Sequence, residues 1–468
     1  MQTADSPPAS HRLGATRSAC PQCRRVLDAE ILQRAGRVVL SRECPEHGRF
    51  EAVVYGDARR YLEIQRFSKP GAAPLSRQTE SQRGCPHDCG ICPQHAQHTC
   101  LGIIEVNTAC NLDCPICFAE SGTGQNGNGY ALALAEVESM LDAFVAAEGS
   151  PEAVQISGGE PSIHPQILEM LGAARQRGIP LVMLNTNGIR LARDPRFAAA
   201  LAELGVHVYL QFDGLEEATH TAIRGRPLLD EKLRALERCS EEGVSVSLAT
   251  AIERNLNDHE AGPIVRFGIE HPAVTGVFFQ PVTHSGRFLA ASDPLEKLTN
   301  SDVIEAIAEQ LPEWFRPDDF VPVPCCSPTC RSATFALCDG RDVIPLPRLV
   351  DVEDYLDYVT NRAVPDFSVR DALEGLWSAK AAGGSGPVAA RLECVACSTA
   401  IPAELREVAA RGFMIVIQDF QDPYTLDVEK LRKCCVSEIT PDGRLIPFCA
   451  YNSFGYRQQV REWRSSLS

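Results

Sequence analysis

The sequence predicts an α/β fold with cysteine-rich, metal-binding ends, and three observations carry this. Between residues 100 and 290, six short apolar runs alternate with amphipathic stretches of helical period. Most of the 20 cysteines gather at ligand spacings before that region, at its start and after it, rather than scattering along the chain. No run reaches the roughly 18 apolar residues of a membrane span. Alternating strand and helix patterns predict a parallel sheet, open or curled into a barrel. Ligands then gather at the carboxyl ends of its strands.

In chain order, the first element is a small metal domain over residues 1–70. "CPQC" supplies Cys20 and Cys23, and "CPEHG" supplies Cys44 and His47. The stretch between them alternates as a β-hairpin turning at Ala35–Gly36. Two knuckles on adjacent hairpins bring two ligand pairs together, as structural metal sites require. Three sulfurs and an imidazole suit zinc, whereas a fourth sulfur from elsewhere would suit iron. Residues 71–102 form a loop, "GCPHDCGICPQHAQHTC", with Cys85, Cys89, Cys92 and Cys100. Four thiolates within so short a run can close around one iron–sulfur cluster, with a second zinc site as the alternative.

Residues 103–295 carry the strand and helix repeats. The strands read "GIIEV", "AVQIS", "LVMLNTN", "VHVYLQFD", "SVSLATA" and "GVFFQPV", with helical runs such as "LALAEVESMLDAFVAAE" between them. The first strand runs into Cys110, Cys114 and Cys117, one ligand short of a closed metal site. The second ends in Ser157, Gly158, Gly159 and Glu160, where glycines permit close backbone approach to a ligand and the carboxylate suits an ammonium group. The third ends near Asn187, and the fourth near Gln211 and Asp213. Residues 296–468 hold the last cysteine district, from which Cys326, Cys330, Cys338, Cys394, Cys397, Cys435 and Cys449 are the candidate ligands. Cys325 and Cys434 make that choice ambiguous, because adjacent side chains rarely enter one small site. Cys239 stands alone in a helical run and reads as a buried small residue.

C-x3-C-x2-C after the first strand, with GGEP after the second, resembles the radical S-adenosylmethionine (SAM) superfamily. The resemblance implies a partial (β/α)6 barrel. It implies that Cys110, Cys114 and Cys117 hold a [4Fe–4S] cluster whose open iron takes the amino and carboxylate groups of S-adenosylmethionine. Ser157, Gly158, Gly159, Glu160, Asn187, Gln211, Asp213 and Arg224 are the cofactor-binding residues it implies. The flanking motifs and the late "TPDGRLIPFCAYN" are similar to the tetraether lipid synthases, a family earlier labelled as pterin-methylating. That similarity implies auxiliary iron–sulfur clusters, a mononuclear iron or zinc site, and a ferredoxin or flavodoxin as electron donor. It implies carbon–carbon bond formation on lipid alkyl chains, with methylation of a pterin or other small molecule as the alternative. An iron–sulfur electron carrier would need the cysteines but not the GGEP.

The net charge of −16 argues against a general nucleic-acid binder. The N-terminus lacks the apolar core of a signal peptide, so a cytoplasmic, reducing location is expected, where cysteines serve as metal ligands rather than disulfides. Ile304, Ile307, Leu311, Trp314 and Phe315 fall at mostly helical spacing. They are a candidate lining for a lipid-tail channel or a peripheral membrane contact, with ordinary core packing as the alternative.

Overall fold

The computed structural model describes residues 10–123, 129–324, 326–339, 342–348 and 412–466. Near the N-terminus, β1 (His11–Ala19), β2 (Val26–Arg34), β3 (Arg37–Cys44) and β4 (Gly48–Tyr55) pair antiparallel in chain order. The hairpin turns where expected. Ala35 and Gly36 have φ of 48° and 79°, the left-handed pair that a two-residue hairpin connection favours. A short helix, α1 (Ala58–Ile64), follows, its first N–H groups capped by the Asp57 side chain.

The central strands are β5 (Leu101–Glu105), β6 (Ala153–Ser157), β7 (Leu181–Thr186), β8 (His207–Gln211), β9 (Val246–Ile252) and β10 (Val274–Pro281). They lie side by side, parallel and in sequence order. Helices α2 (Leu134–Glu148), α3 (Ile167–Gln176), α4 (Ile189–Arg193), α5 (Pro195–Glu203), α6 (Glu217–Arg224), α7 (Leu229–Glu241) and α8 (Ala261–Glu270) connect them. Side chains alternate along a strand, so each strand here has a helix-facing set and an inner set. Ile104, Ile156, Leu184, Leu210, Leu248 and Phe279 join Val137, Leu141 and Phe144 of α2 in one buried core. The alternate residues therefore face the opposite, concave side.

The sheet does not end at residue 295. After α9 (Asn300–Gln310) come β11 (Val321–Pro322), β12 (Arg331–Asp339), β13 (Asp342–Pro345) and β14 (Gly412–Gln418). β14 lies parallel to β10, and β12 runs antiparallel beyond it. At the other edge, after α10 (Val428–Arg432), β15 (Val436–Ile439) pairs parallel with β5, and β16 (Leu445–Pro447) pairs with β15. Helices α11 (Phe448–Ser453) and α12 (Tyr456–Ser465) follow.

The apolar stripe of α9 and the turn after it is core. Ile304 and Ile307 are 0% exposed and Leu311 and Phe315 are 1%, so each stabilises the fold by roughly 1.5–3 kcal/mol through leaving water. Arg266 lies 4.5 Å over the Trp314 ring. The stripe therefore neither lines a tail channel nor reaches a membrane surface. Among the described residues, no helix is long and apolar enough to cross a membrane.

Candidate active site and metal centres

The chain leaving β5 stays zipped to the chain leaving β6. Gly159 N–H donates to the Asn107 carbonyl at 2.8 Å, and Glu160 N–H to the Ala109 carbonyl at 2.9 Å. The glycines permit this contact. A Cβ at Gly158 would lie 2.4 Å from the Asn107 oxygen, and one at Gly159 would lie 2.2 Å from the Ala109 oxygen. The pairing delivers Cys110, Cys114 and Cys117 as one loop packed on Leu112, Ile189 and Leu228. Burial pushes the Cys110 thiol up to about 12 and raises Cys114 as well. Bound iron would reverse this by taking the thiolates. Three convergent thiols in an apolar pocket fit a cluster with one open position. Beside them, the buried Asn107 Oδ1 and Ser121 Oγ have no hydrogen-bond partner among the described residues.

Glu160 is 1% exposed. Its Oε1 accepts from Ser162 N–H at 3.0 Å and Thr186 Oγ1 at 2.7 Å, and its Oε2 accepts from Asn187 N–H at 2.7 Å. Three of about four lone-pair positions are thus engaged, which fixes the carboxylate and leaves one direction for a donor. Ser157 Oγ accepts from Asn185. The Asn187 side chain bridges the Asn111 carbonyl oxygen of its side chain and the Ile189 N–H. Asp213 and Arg224 are turned to each other, with two hydrogen bonds of 2.7 and 2.6 Å. Arg224 also donates to the Ile116 carbonyl at 3.2 Å and lies against Cys114. The pair braces the cysteine loop from beneath, and its arrangement here is a positioning one.

Two side chains at this site escape sequence reading. Lys232 of α7, 0% exposed, donates to the Asn187 carbonyl at 2.6 Å and to Gln211 Oε1 at 3.2 Å. Burial brings its ammonium down to about 8, with Asp213 opposing and Arg224 adding to the shift. Arg287 donates to the Cys114 carbonyl at 2.9 Å, and its backbone exchanges hydrogen bonds with Cys117. Lys232 had a weak signal, a cation inside an amphipathic helix. Arg287 had none, because only tertiary approach brings it there.

The N-terminal ligands converge without help. The donor atoms of Cys20, Cys23, Cys44 and His47 all lie within 4.8 Å of one another. His47 Nδ1 is 3.6 Å from Cys20 Sγ and 3.5 Å from Cys44 Sγ, and the Cys23 and Cys44 sulfurs are 3.9 Å apart. Tetrahedral zinc with bonds near 2.3 Å has edges of about 3.8 Å, so the set fits one zinc ion and no sulfur from another district is needed.

The other cysteines regroup. Cys85 and Cys89 pack with Cys449, with Cys92 beside them. Cys100 leaves that loop's set and packs with Cys326, Cys330, Cys434 and Cys435. The expected closure of four thiolates within one loop fails for a backbone reason. Cys100 precedes β5, and its N–H donates to the Cys435 carbonyl at 2.8 Å, so the β5–β15 register carries it to the later cysteines. Cys434, not chosen from the sequence, contacts both groups: its thiol meets that of Cys449. Cys338 goes elsewhere, packing against the main core near Ala336 and Val343. Cys394 and Cys397 lie outside the described residues.

The radical SAM superfamily profile matches residues 104–268, and the profile of the HMPTM N-terminal zinc ribbon domain matches residues 12–56. The 7,8-dihydro-6-hydroxymethylpterin dimethyltransferase of Methanocaldococcus jannaschii is 32% identical over 483 residues, covering 96% of this chain and 94% of that protein. A GTP 3′,8-cyclase of Chlorobaculum tepidum is 31% identical over 222 residues, 45% of this chain and 65% of the cyclase. The Fe-coproporphyrin III synthase of Methanosarcina barkeri is 32% identical over 181 residues, 38% and 43% of the two chains.

Proposed function

Because the chain belongs to the radical SAM superfamily, in the family of the M. jannaschii pterin dimethyltransferase, we propose that it builds a carbon–carbon bond at an unactivated carbon of a polar heterocycle of the pterin class. [4Fe–4S] iron and S-adenosylmethionine are its cofactors, and together they supply a 5′-deoxyadenosyl radical when one electron arrives from a ferredoxin or flavodoxin. Cys110, Cys114 and Cys117 hold the catalytic cluster. Glu160, fixed by three donors, takes the amino group of S-adenosylmethionine. Asp213 and Arg224 keep the cysteine loop in place, and Lys232 locks the ends of β7 and β8 to each other. The two regrouped cysteine sets hold auxiliary clusters, and the N-terminal set holds zinc.

The observation that carries the substrate class is the concave face. Its inner positions nearest the carboxyl ends are Glu105, Ser157, Asn185, Gln211, Gln280 and Gln418, all capable of hydrogen bonding, with the apolar Ala251 of β9 as the exception, and Arg331 of the antiparallel β12 lies opposite Gln418. This follows from their pairing registers and from the core facing of their neighbours. Such a rim suits a ring with several polar atoms, because it offers hydrogen-bonding groups that a lipid tail could not use. Pterin and guanine, the rings in the names of two relatives, share a 2-amino-4-oxopyrimidine edge. Coupling of lipid chains is the second reading. It is favoured by the deeper layer of the same face, where Met183, Phe278, Met414 and Phe335 are apolar. Incubation with S-adenosylmethionine, a reductant and either a reduced pterin or a lipid extract, followed by mass analysis, decides. Growth of the pterin by methyl increments is expected, and new masses among lipids alone would reverse the assignment.

A further inference from the structure

One polar group facing the concave side has no role in the scheme above. Glu438 on β15 pairs with Ile103 of β5, and partners in a parallel pair present their side chains on the same face. Val436, on the same face of β15, packs with Ile103 and Phe448, whereas Ile439 belongs to the helix-facing core. Glu438 is 2% exposed, and its carboxyl makes no hydrogen bond among the described residues. Its neighbour Glu105 is already engaged by Arg457 and by the Tyr451 hydroxyl at 3.2 Å. Arg457 turns its other terminal nitrogen to Asn452 Oδ1 at 2.6 Å. One guanidinium therefore serves two carboxyls. Burial raises Glu438 well above the ordinary carboxylate range, Glu105 raises it further, and Arg457 opposes them. A buried carboxyl that shares its counter-charge and has no hydrogen bond of its own among the described residues calls for one. The cluster also adjoins the cysteine loop, since the Phe118 ring, next after Cys117, lies 5.6 Å from the Phe448 ring and 5.6 Å from the Arg457 guanidinium.

We propose that Glu438 is the specificity residue of the substrate pocket, taking the aminopyrimidinone edge of the ring through two parallel hydrogen bonds. An ionised carboxylate offers two acceptors to a ring N–H and its adjacent amino group. A protonated carboxyl offers one donor and one acceptor to an imine nitrogen and the same amino group. Both states thus give a two-point contact. The phenyl rings of Phe118 and Phe448 supply flat apolar surface for the heterocycle. This inference rests on the pterin-class reading and names the residue that would make it selective.

The test is equilibrium dialysis of reconstituted enzyme with 7,8-dihydro-6-hydroxymethylpterin and with its analogue bearing oxygen in place of the 2-amino group. Wild type, Glu438→Gln and Glu438→Leu are compared, with iron and zinc content and the thermal midpoint as checks of folding. Wild type should prefer the amino compound by about tenfold or more, and Glu438→Leu should reduce that preference to within about twofold, whereas Glu438→Gln, which keeps one acceptor and one donor, should retain it where the carboxyl binds protonated and lose it where it binds ionised. Full preference retained in Glu438→Leu overturns the inference while leaving the pterin reading intact. Wild type that binds neither compound removes the pterin reading and the inference with it. If both variants lose iron, the wild-type comparison still decides, because equal binding of the two compounds overturns the proposal.

Discussion

The N-terminal ligand set and the three-cysteine loop solve the same problem in opposite ways. Cys20, Cys23, Cys44 and His47 come from the ends of hairpin strands, so local pairing alone brings four donors within 4.8 Å of one another. Cys110, Cys114 and Cys117 sit on an irregular loop held from outside by the GGEP segment, Arg224 and Arg287. The first site is closed and its geometry is autonomous. The second is one ligand short, and its geometry is borrowed from three other parts of the chain. A closed site suits structure, whereas an open one held by its surroundings leaves a coordination position for chemistry.

The sharpest way to break the comparison is to remove the open site. Changing Cys110, Cys114 and Cys117 together to alanine should bring 5′-deoxyadenosine formation down to background under reduction, while zinc content stays near one per chain. Undiminished cleavage by that variant would end the assignment of these thiols. The reciprocal change, His47→Ala, should weaken zinc retention against a chelator and leave the catalytic iron in place. Loss of both metals together would mean that the two sites are not independent.

Next in size is the borrowed geometry itself. Gly159→Ala places a methyl group where the Ala109 oxygen now lies, at 2.2 Å, so the cysteine loop must move. A displacement of about 1 Å can cost on the order of a hundredfold in rate. S-adenosylmethionine cleavage should fall by about that factor with iron content retained, and an unchanged rate would show that the zipper is dispensable.

These sites also differ in how much the sequence revealed. Strand ends, GGEP and both knuckles were legible because each is a local pattern of period or spacing. The turn at Ala35–Gly36 is local in the same sense. The partners were not legible. Lys232 reaches Asn187 across 45 positions, and Arg287 reaches Cys114 across 173. Cys100 was grouped with its sequence neighbours, but strand register moved it to Cys435. The stripe ending at Phe315 had the right period for a helix face, yet period alone cannot say whether that face meets core, ligand or membrane.

The buried pair beneath the open site gives a smaller effect, read as stability. Asp213→Asn leaves Arg224 buried without its counter-charge, which should destabilise by about 3–5 kcal/mol. Burial alone would raise Asp213, but the Arg224 guanidinium outweighs it and holds the carboxyl below its ordinary value. A depressed folded value means that the pair's stabilisation is fully present above the unfolded value, near 3.9, and is lost as pH falls through the folded one. Wild type and Asp213→Asn should therefore keep their full difference in denaturation midpoint above about pH 4 and converge as pH falls below it. A constant difference across that range would mean that the ion pair contributes nothing.

The smallest effect tests whether every cysteine here is a ligand. Cys239 on α7 is 0% exposed and packs in the main core with Leu236 and Val244, and burial alone pushes its thiol up to about 12. Among the described residues no other cysteine acts on its thiol, so it behaves as a small apolar residue rather than as a thiolate. Cys239→Ala removes one heavy atom from a close-packed site and should cost about 1 kcal/mol, visible as a thermal midpoint lowered by a few degrees at most. Iron and zinc per chain should be unchanged, because neither the closed site nor the open one touches it. A measurable loss of iron in this variant would place a metal against the helix side of the sheet, and the division between a structural core and metal sites at the strand ends would fail there.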